Sequence, residues 1–276
     1  MQYKDDLPLG KSTEYVDKYN PALLCAIPRY SGREELGICS DALPFQGVDI
    51  WNAYELSWLN SKGKPVVAVA ELHVQADSPF MVESKSLKLY LNSFNQTRFN
   101  DVSIVFETIK GDLSALLQSN VSVEVRELSG EMMPISKESL PGFCVDELDI
   151  EVNDYQLDRR LLKLDPVGGH VSEVLCSNLL RSNCPVTCQP DWGSVVVCYT
   201  GEKICRESLL RYIISYRIHN GFHEQCVERM FVDIKTQCQP DSLSIYARYV
   251  RRGGLDINPY RSDERVDARN IFTVRQ

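Results

Sequence analysis

Two side chains seven residues apart mark the most reactive stretch of the chain. In Ser182 to Gly193, SNCPVTCQPDWG, the thiol of Cys184 precedes the carboxyl group of Asp191. A cysteine attacks an electrophilic carbon as its thiolate, and the adduct then needs a proton from a nearby acid. Cys184 and Asp191 are a candidate pair for those two roles. A carboxyl group donates only when protonated, so Asp191 calls for partial burial, which the neighbouring Trp192 would assist by excluding water. Pro185 and Pro190 fix φ and remove backbone donors, which argues against a continuous helix and predicts a shaped loop. On spacing alone, a structural turn around an inert buried cysteine is the stronger reading.

Other candidates sit where helices are predicted to begin. Glu83-Ser84-Lys85-Ser86 opens one helix, and His223-Glu224 opens another after the break at Asn220-Gly221. A helix N-terminus presents unpaired N–H groups to a phosphate or an anionic ring edge, and Lys85 would assist. Carboxylates at Glu83 and Glu224 are suited to accept hydrogen bonds from the amide and amino donors of a guanine-like ring. Capping and the helix dipole account for Ser and Glu at these positions without any ligand, and a satisfied, partly buried imidazole accounts for His223. Arg248, Arg251 and Arg252, followed by Gly253-Gly254, read either as a clamp for nucleotide phosphates or as a solvated strand edge. No GxGxxG or GxxxxGK[ST] occurs, so neither a Rossmann nor a P-loop site is supported.

Hydrophobic periodicity supplies the elements that must position these groups. The first fifty residues, with Pro8, Pro21, Pro28 and Pro44, read as an irregular wrapping segment. VDIWNAYELSWL and KPVVAVAELHVQA then form two strands joined by a hairpin at Asn60 to Gly63. ESKSLKLYLNSFN places Leu87, Tyr90, Leu91 and Phe94 on one helical face, and Asp101 to Gln118 does the same with Val102, Val105, Phe106, Ile109 and Leu113. VSVEVREL closes the unit as a strand. The second half repeats the order: strands HVSEVLCSNLL and GSVVVCYTG, a helix over Ile204 to Ile218 with Leu209, Leu210, Tyr212, Ile213 and Tyr216, a helix HEQCVERMFVDIKTQ and a final strand SLSIYARYVRRGG. Two modules of strand, strand, helix, helix, strand predict an α+β chain with antiparallel sheets. The polar segment Ser129 to Gly142, with Pro134 and Pro141, is the predicted join, giving modules 1–135 and 136–276.

Composition narrows the function classes. Thirty basic and 38 acidic side chains give a net charge of -8, which argues against a dominant nucleic-acid or anionic-membrane surface. No apolar run approaches the roughly 18 residues of a membrane span, and MQYKDDLPLGKSTEY lacks the layout of a secretory signal. A cytoplasmic protein is expected. Its ten cysteines are therefore expected mainly as free thiols. Cys184, Cys188, His223 and Cys226 could also be drawn as a zinc set.

VESKSLKLYLNSFN at Val82 to Asn95 resembles the signature of the NADPH-dependent 7-cyano-7-deazaguanine reductases, the QueF family, and SNCPVTCQPDWG and GFHEQC are similar to its two other functional segments. The order and spacing fit the long, two-module form over essentially the whole chain. The resemblance implies two tandem tunnel-fold (T-fold) modules, antiparallel sheets with paired helices, and a homodimer. It implies reduction of a nitrile to a primary amine in queuosine biosynthesis, with two NADPH per turnover. Cys184 would form a covalent thioimide, and Asp191 would supply protons. Val82, Glu83, Ser84, His223 and Glu224 would hold the deazaguanine ring, and Ser84, Lys85, Arg252 and Gly253 would contact NADPH. Two rivals stand beside it: a zinc-dependent GTP cyclohydrolase-like purine hydrolase, and a non-catalytic purine-binding module. Cys188 or Cys226 is a further candidate to bridge Cys184 in a protective disulfide.

Overall fold

The computed structural model describes residues 15–128, 137–153, 155–265 and 268–276. The elements in chain order are β1 (Ala26–Pro28), α1 (Tyr30–Glu34), β2 (Gln46–Leu59), β3 (Pro65–Gln75), β4 (Phe80–Val82), α2 (Ser84–Asn92), α3 (Val102–Leu117) and β5 (Val121–Glu127). They continue with β6 (Phe143–Cys144), β7 (His170–Ser177), β8 (Arg181–Asn183), β9 (Pro190–Glu202), α4 (Arg206–Ser215), α5 (His223–Cys238), β10 (Ser242–Tyr249) and β11 (Leu255–Ser262). Contacts divide the chain into two units: Met1–Ser31, Asp49–Ile135 and Arg251–Ile257 in the first, and Gly32–Val48, Ser136–Val250 and Asn258–Gln276 in the second. Most of the predicted join, residues 129–136, lies outside the described residues.

In the first unit the strand order is β5, β3, β2, with β3 and β5 antiparallel from Ala68↔Glu127 to Val74↔Val121. Alternation along β3 buries Ala68, Ala70, Leu72 and Val74 on one face. Against that face α2 sets Leu87, Tyr90, Leu91 and Phe94, all buried, and α3 sets Val105, Ile109, Leu113 and Leu117 at zero exposure. The 3.6-residue pattern thus becomes the core, with Val102 and Phe106 packed at its margin. Asp101 caps α3 by accepting from the Ser103 N–H at 2.7 Å, and Gln118 ends the helix in the left-handed region.

The second unit orders its strands β11, β10, β9, β7, β6. Every pair is antiparallel except the two-residue parallel contact of β6 with β7, and β8 folds back on β9. Leu209, Leu210, Tyr212, Ile213 and Tyr216 are all buried, as their spacing predicts. The predicted last strand is a correction: it ends at Tyr249, and β11 follows a turn at Gly253-Gly254. Both glycines have positive φ, 56° and 79°, as a two-residue hairpin turn requires.

α5 carries three buried acids, Glu224, Glu228 and Asp233. Glu228 accepts from Arg33 Nε at 3.0 Å and Nη2 at 2.8 Å, and from Arg261 Nε at 3.1 Å and Nη2 at 2.8 Å. Phe45 lies beneath both guanidinium groups at 5.7 and 5.5 Å. This charged knot anchors the helix that presents His223 and Glu224 at its first turn. No helix among the described residues is long and apolar enough to cross a membrane.

Candidate functional site

The predicted loop Ser182 to Gly193 is a β-hairpin. β8 pairs with the start of β9 as Arg181↔Trp192, Ser182↔Asp191 and Asn183↔Pro190. Beyond β8 the Cys184 N–H donates to Gln189 O at 2.8 Å, and the Cys188 N–H returns to Cys184 O at 3.0 Å. Cys188 takes the turn's left-handed conformation, φ 56°. Asp191 therefore sits on a strand, which corrects the loop expectation. Pro190 is tolerated because it is the first residue of β9.

The pleat gives this hairpin its chemistry. Ser182 and Cys184, two residues apart, share a face, and Asp191 opposite Ser182 shares it too. Diagonal neighbours on such a face stand on the order of 7 Å apart, which leaves room for a reacting carbon and nitrogen between thiol and carboxyl. Both groups are withdrawn from water, each at 7% exposure, while Trp192 on the opposite face is 41% exposed between the Arg181 and Arg217 guanidinium groups.

α5 adds a third group from the same unit. The strip before it is tied to β8: the Asn183 N–H donates to His219 O at 2.8 Å, and the Gly221 N–H to Asn183 O at 3.0 Å. This tie brings His223 Nε2 to 3.6 Å from Asp191 Oδ1, and Glu224 lies buried beside it at 3% exposure. His223 stacks on Tyr249, with ring centroids 3.8 Å apart and an interplanar angle of 30°. Behind them burial pushes the Cys226 thiol up to about 12, partly offset by the Ser182 and Tyr249 hydroxyls. Among the described residues, Ser182 Oγ and Tyr249 OH have no full hydrogen-bond partner.

The first unit holds the remaining candidates. Glu83 follows β4 as the N-cap of α2, and its carboxylate accepts from the Lys85 N–H at 2.8 Å and the Ser86 N–H at 2.7 Å. The expected anion site on those N–H groups is thus filled by Glu83 itself. At 1% exposure, burial raises the Glu83 pKa despite these bonds. Val82 is buried, and Ser84 and Lys85 are half-buried. Arg252 and Gly253 lie exposed on the turn before β11. A Cβ at Gly253 would meet Lys88 Nζ at 3.0 Å, and one at Gly254 the Glu55 carboxyl carbon at 2.5 Å. Lys88 is a cation that the sequence reading missed, although it stands one helical turn from Ser84.

One expectation is corrected, and one rival reading finds no support. Arg248 does not join Arg251 and Arg252: it is fully buried in the second unit, donating to Tyr246 OH at 2.8 Å and Asn270 Oδ1 at 2.7 Å. The zinc set is not assembled either, since no three His, Cys, Asp or Glu side chains among the described residues converge as metal ligands do. Cys188 is exposed on its turn while Cys226 is buried under α5. All ten cysteines are free thiols.

Comparison with known proteins gives one consistent result. Residues 15–125 match the family model described as nitrile reductase, 7-cyano-7-deazaguanine-reductase N-term. Residues 190–268 match the model described as QueF-like protein. The NADPH-dependent 7-cyano-7-deazaguanine reductase of Azoarcus sp. (strain BH72) is 56% identical over 272 residues, which is 98% of this chain and 95% of that protein.

Proposed function

The chain belongs to the QueF family of nitrile reductases, in its two-module T-fold form, and from that premise we propose that it reduces the nitrile of 7-cyano-7-deazaguanine to the aminomethyl group in queuosine biosynthesis. The observation that carries the reading is the single hairpin face bearing Cys184 and Asp191, with His223 in charge-pair reach of the acid.

Cys184 adds to the nitrile carbon, and the nitrile nitrogen takes a proton, leaving a covalent thioimide on Sγ. NADPH, when bound, supplies the hydride that the thioimide carbon and then the imine carbon accept. Asp191 delivers protons to the nitrogen and takes a fresh one between the two reductions. Cys184 leaves as the thiolate when the reduced adduct collapses to the imine. Enclosure of Cys184 and Asp191 keeps water from hydrolysing either intermediate.

The ring is held by carboxylates. By the family's pattern, Glu83 and Glu224 are the acceptors for the ring's N–H donors, and Val82, Ser84 and His223 are the other ring-contacting residues. Glu83 Oε1 accepts from both the Lys85 N–H and the Ser84 hydroxyl, the latter at 3.5 Å, whereas Oε2, which takes the Ser86 N–H, retains a lone pair for a ring donor. Ser84, Lys85, Arg252 and Gly253 form the cofactor set, and this group fits NADPH because its cations stand on exposed or half-buried positions of one unit beside Lys88. We place the module boundary at residues 135/136, from which the compact units depart at Gly32–Val48 and Arg251–Ile257. The working form is a cytoplasmic homodimer, which sedimentation of the purified chain measures.

NADPH consumption with 7-cyano-7-deazaguanine tests the activity. Wild type consumes the cofactor and Cys184→Ala does not. A wild-type protein that consumes none overturns the proposal.

A further inference from the structure

The approach of His223 to Asp191 depends on a residue outside every motif. Among the described residues, His223 Nε2 is buried without a hydrogen-bond partner, so the 3.6 Å contact with Asp191 cannot by itself fix the ring. The Tyr249 ring, stacked 3.8 Å away, is what the imidazole rests on. Tyr249 has zero exposure and is held from several directions. Its N–H donates to Asn258 Oδ1 at 3.2 Å, and its carbonyl accepts from Gln276 Nε2 at 2.8 Å. Its partner across β9 and β10 is Gly193, whose carbonyl accepts from Arg275 Nη1 at 3.3 Å. A Cβ at Gly193 would lie 3.1 and 3.2 Å from Tyr249 Cδ1 and Cε1, so the ring occupies the space that a side chain would take.

We propose that Tyr249 is a positioning residue: its ring holds the His223 imidazole facing Asp191, and Gly193 is the glycine that makes room for that ring. The proposal rests on the reading of Asp191 and His223 as site residues. An imidazole has two side-chain torsions, and the first residue of a helix lies at its fraying end. Stacking on an immobile ring removes that freedom before substrate arrives. Misplacement by about 1 Å costs about a hundredfold in rate, so loss of the stack should appear in the chemical step more than in binding.

Two readouts test this. The chain has four histidines, so ring signals of histidine-labelled protein can be assigned by substitution. The stack should shift the His223 ring protons upfield; Tyr249→Phe should keep that shift and Tyr249→Leu should abolish it. The second readout is the rate of covalent adduct formation with 7-cyano-7-deazaguanine in the absence of NADPH. Tyr249→Leu should lower it about tenfold or more while changing the dissociation constant of the nitrile far less, and Tyr249→Phe should stay within a few-fold of wild type. Gly193→Ala, which crowds the ring and leaves Tyr249 in place, should give an intermediate loss and carries the test if Tyr249→Leu does not fold. A folded Tyr249→Leu or Gly193→Ala with wild-type rate and His223 shift overturns the proposal, as does a Tyr249→Phe as slow as Tyr249→Leu. If wild type forms no adduct, the functional reading fails while the spectral arm still decides the positioning.

Discussion

Replacing Glu228 by glutamine should unfold the second unit's anchor. Glu228 and Arg33 each keep 4% of their side chain exposed and Arg261 none, and four charge-assisted hydrogen bonds of 2.8 to 3.1 Å join them. Both buried guanidinium groups meet this one carboxylate. The amide in Glu228→Gln would keep one acceptor oxygen, turn an N–H2 toward a guanidinium and remove the negative charge that both guanidinium groups meet here. Breaking a buried pair by removing one partner costs about 3–5 kcal/mol. At about 2–4 °C per kcal/mol for a chain of this order of size, the melting temperature should fall by roughly 6–20 °C. Scanning calorimetry measures it directly. The same charge logic sets a control: changing Arg33, Glu228 and Arg261 together to Met should recover most of the loss, since apolar replacement of a whole buried ion cluster is often neutral. A Glu228→Gln protein melting within about 2 °C of wild type would refute the reasoning. Because the knot anchors the helix bearing His223 and Glu224, activity should fall together with stability.

Other substitutions probe the site more directly. Burial holds the Glu83 pKa above its ordinary value, so its folded-state advantage is present at low pH and is lost as pH rises through the raised pKa; above that raised pKa Glu83→Gln should therefore melt no lower than wild type, yet bind 7-cyano-7-deazaguanine about tenfold more weakly or worse. Burial first, and Arg229 second, lower the His219 pKa from 6.5 to about 4, so stability should be full above pH 6.5 and fall toward pH 4. That gap corresponds to roughly 3 kcal/mol at full burial, or roughly 2 kcal/mol after solvent screening, and His219→Gln should flatten the stability profile across that window. Gly254→Ala would put a Cβ 2.5 Å from the Glu55 carboxyl carbon at φ 79°, and should raise the KM for NADPH by displacing the turn that carries Arg252 and Gly253. Under mild peroxide, peptide mapping should find Cys184 bridged to Cys188 or Cys226; Cys184 found only as sulfinic acid counts against a protective disulfide.

Much of the fold is legible because local pattern and burial agree. Leu87, Tyr90, Leu91 and Phe94 recur at helical spacing and all four are buried. β11 is illegible for the opposite reason. LDINPYRS holds a proline and charged residues, yet every position is buried, because Asp256 is met by Asn52 at 2.7 Å and Arg261 by Glu228 at 2.8 Å. Those partners lie 204 and 33 residues away in sequence, beyond any local window. Cys184 and Asp191 could be picked out by residue type and spacing, but their common face follows from a strand register that Pro190 argues against. Glu83 was legible as a helix-opening acid; that its carboxylate fills the helix terminus itself was not, since a first-turn acid and an N-cap differ by one residue of boundary. Tyr249 carries no sequence signal at all: within SLSIYARY it is one more strand aromatic, and only the path of α5 sets His223 on it.

The most direct measurement of the central claim is the intact mass of the protein after incubation with 7-cyano-7-deazaguanine in the absence of NADPH. The mass should rise by one molecule of the nitrile, mapped to the peptide containing Cys184, absent in Cys184→Ala, and discharged as the aminomethyl product when NADPH is added. No mass gain, or a gain mapped to Cys188 or Cys226, would contradict it.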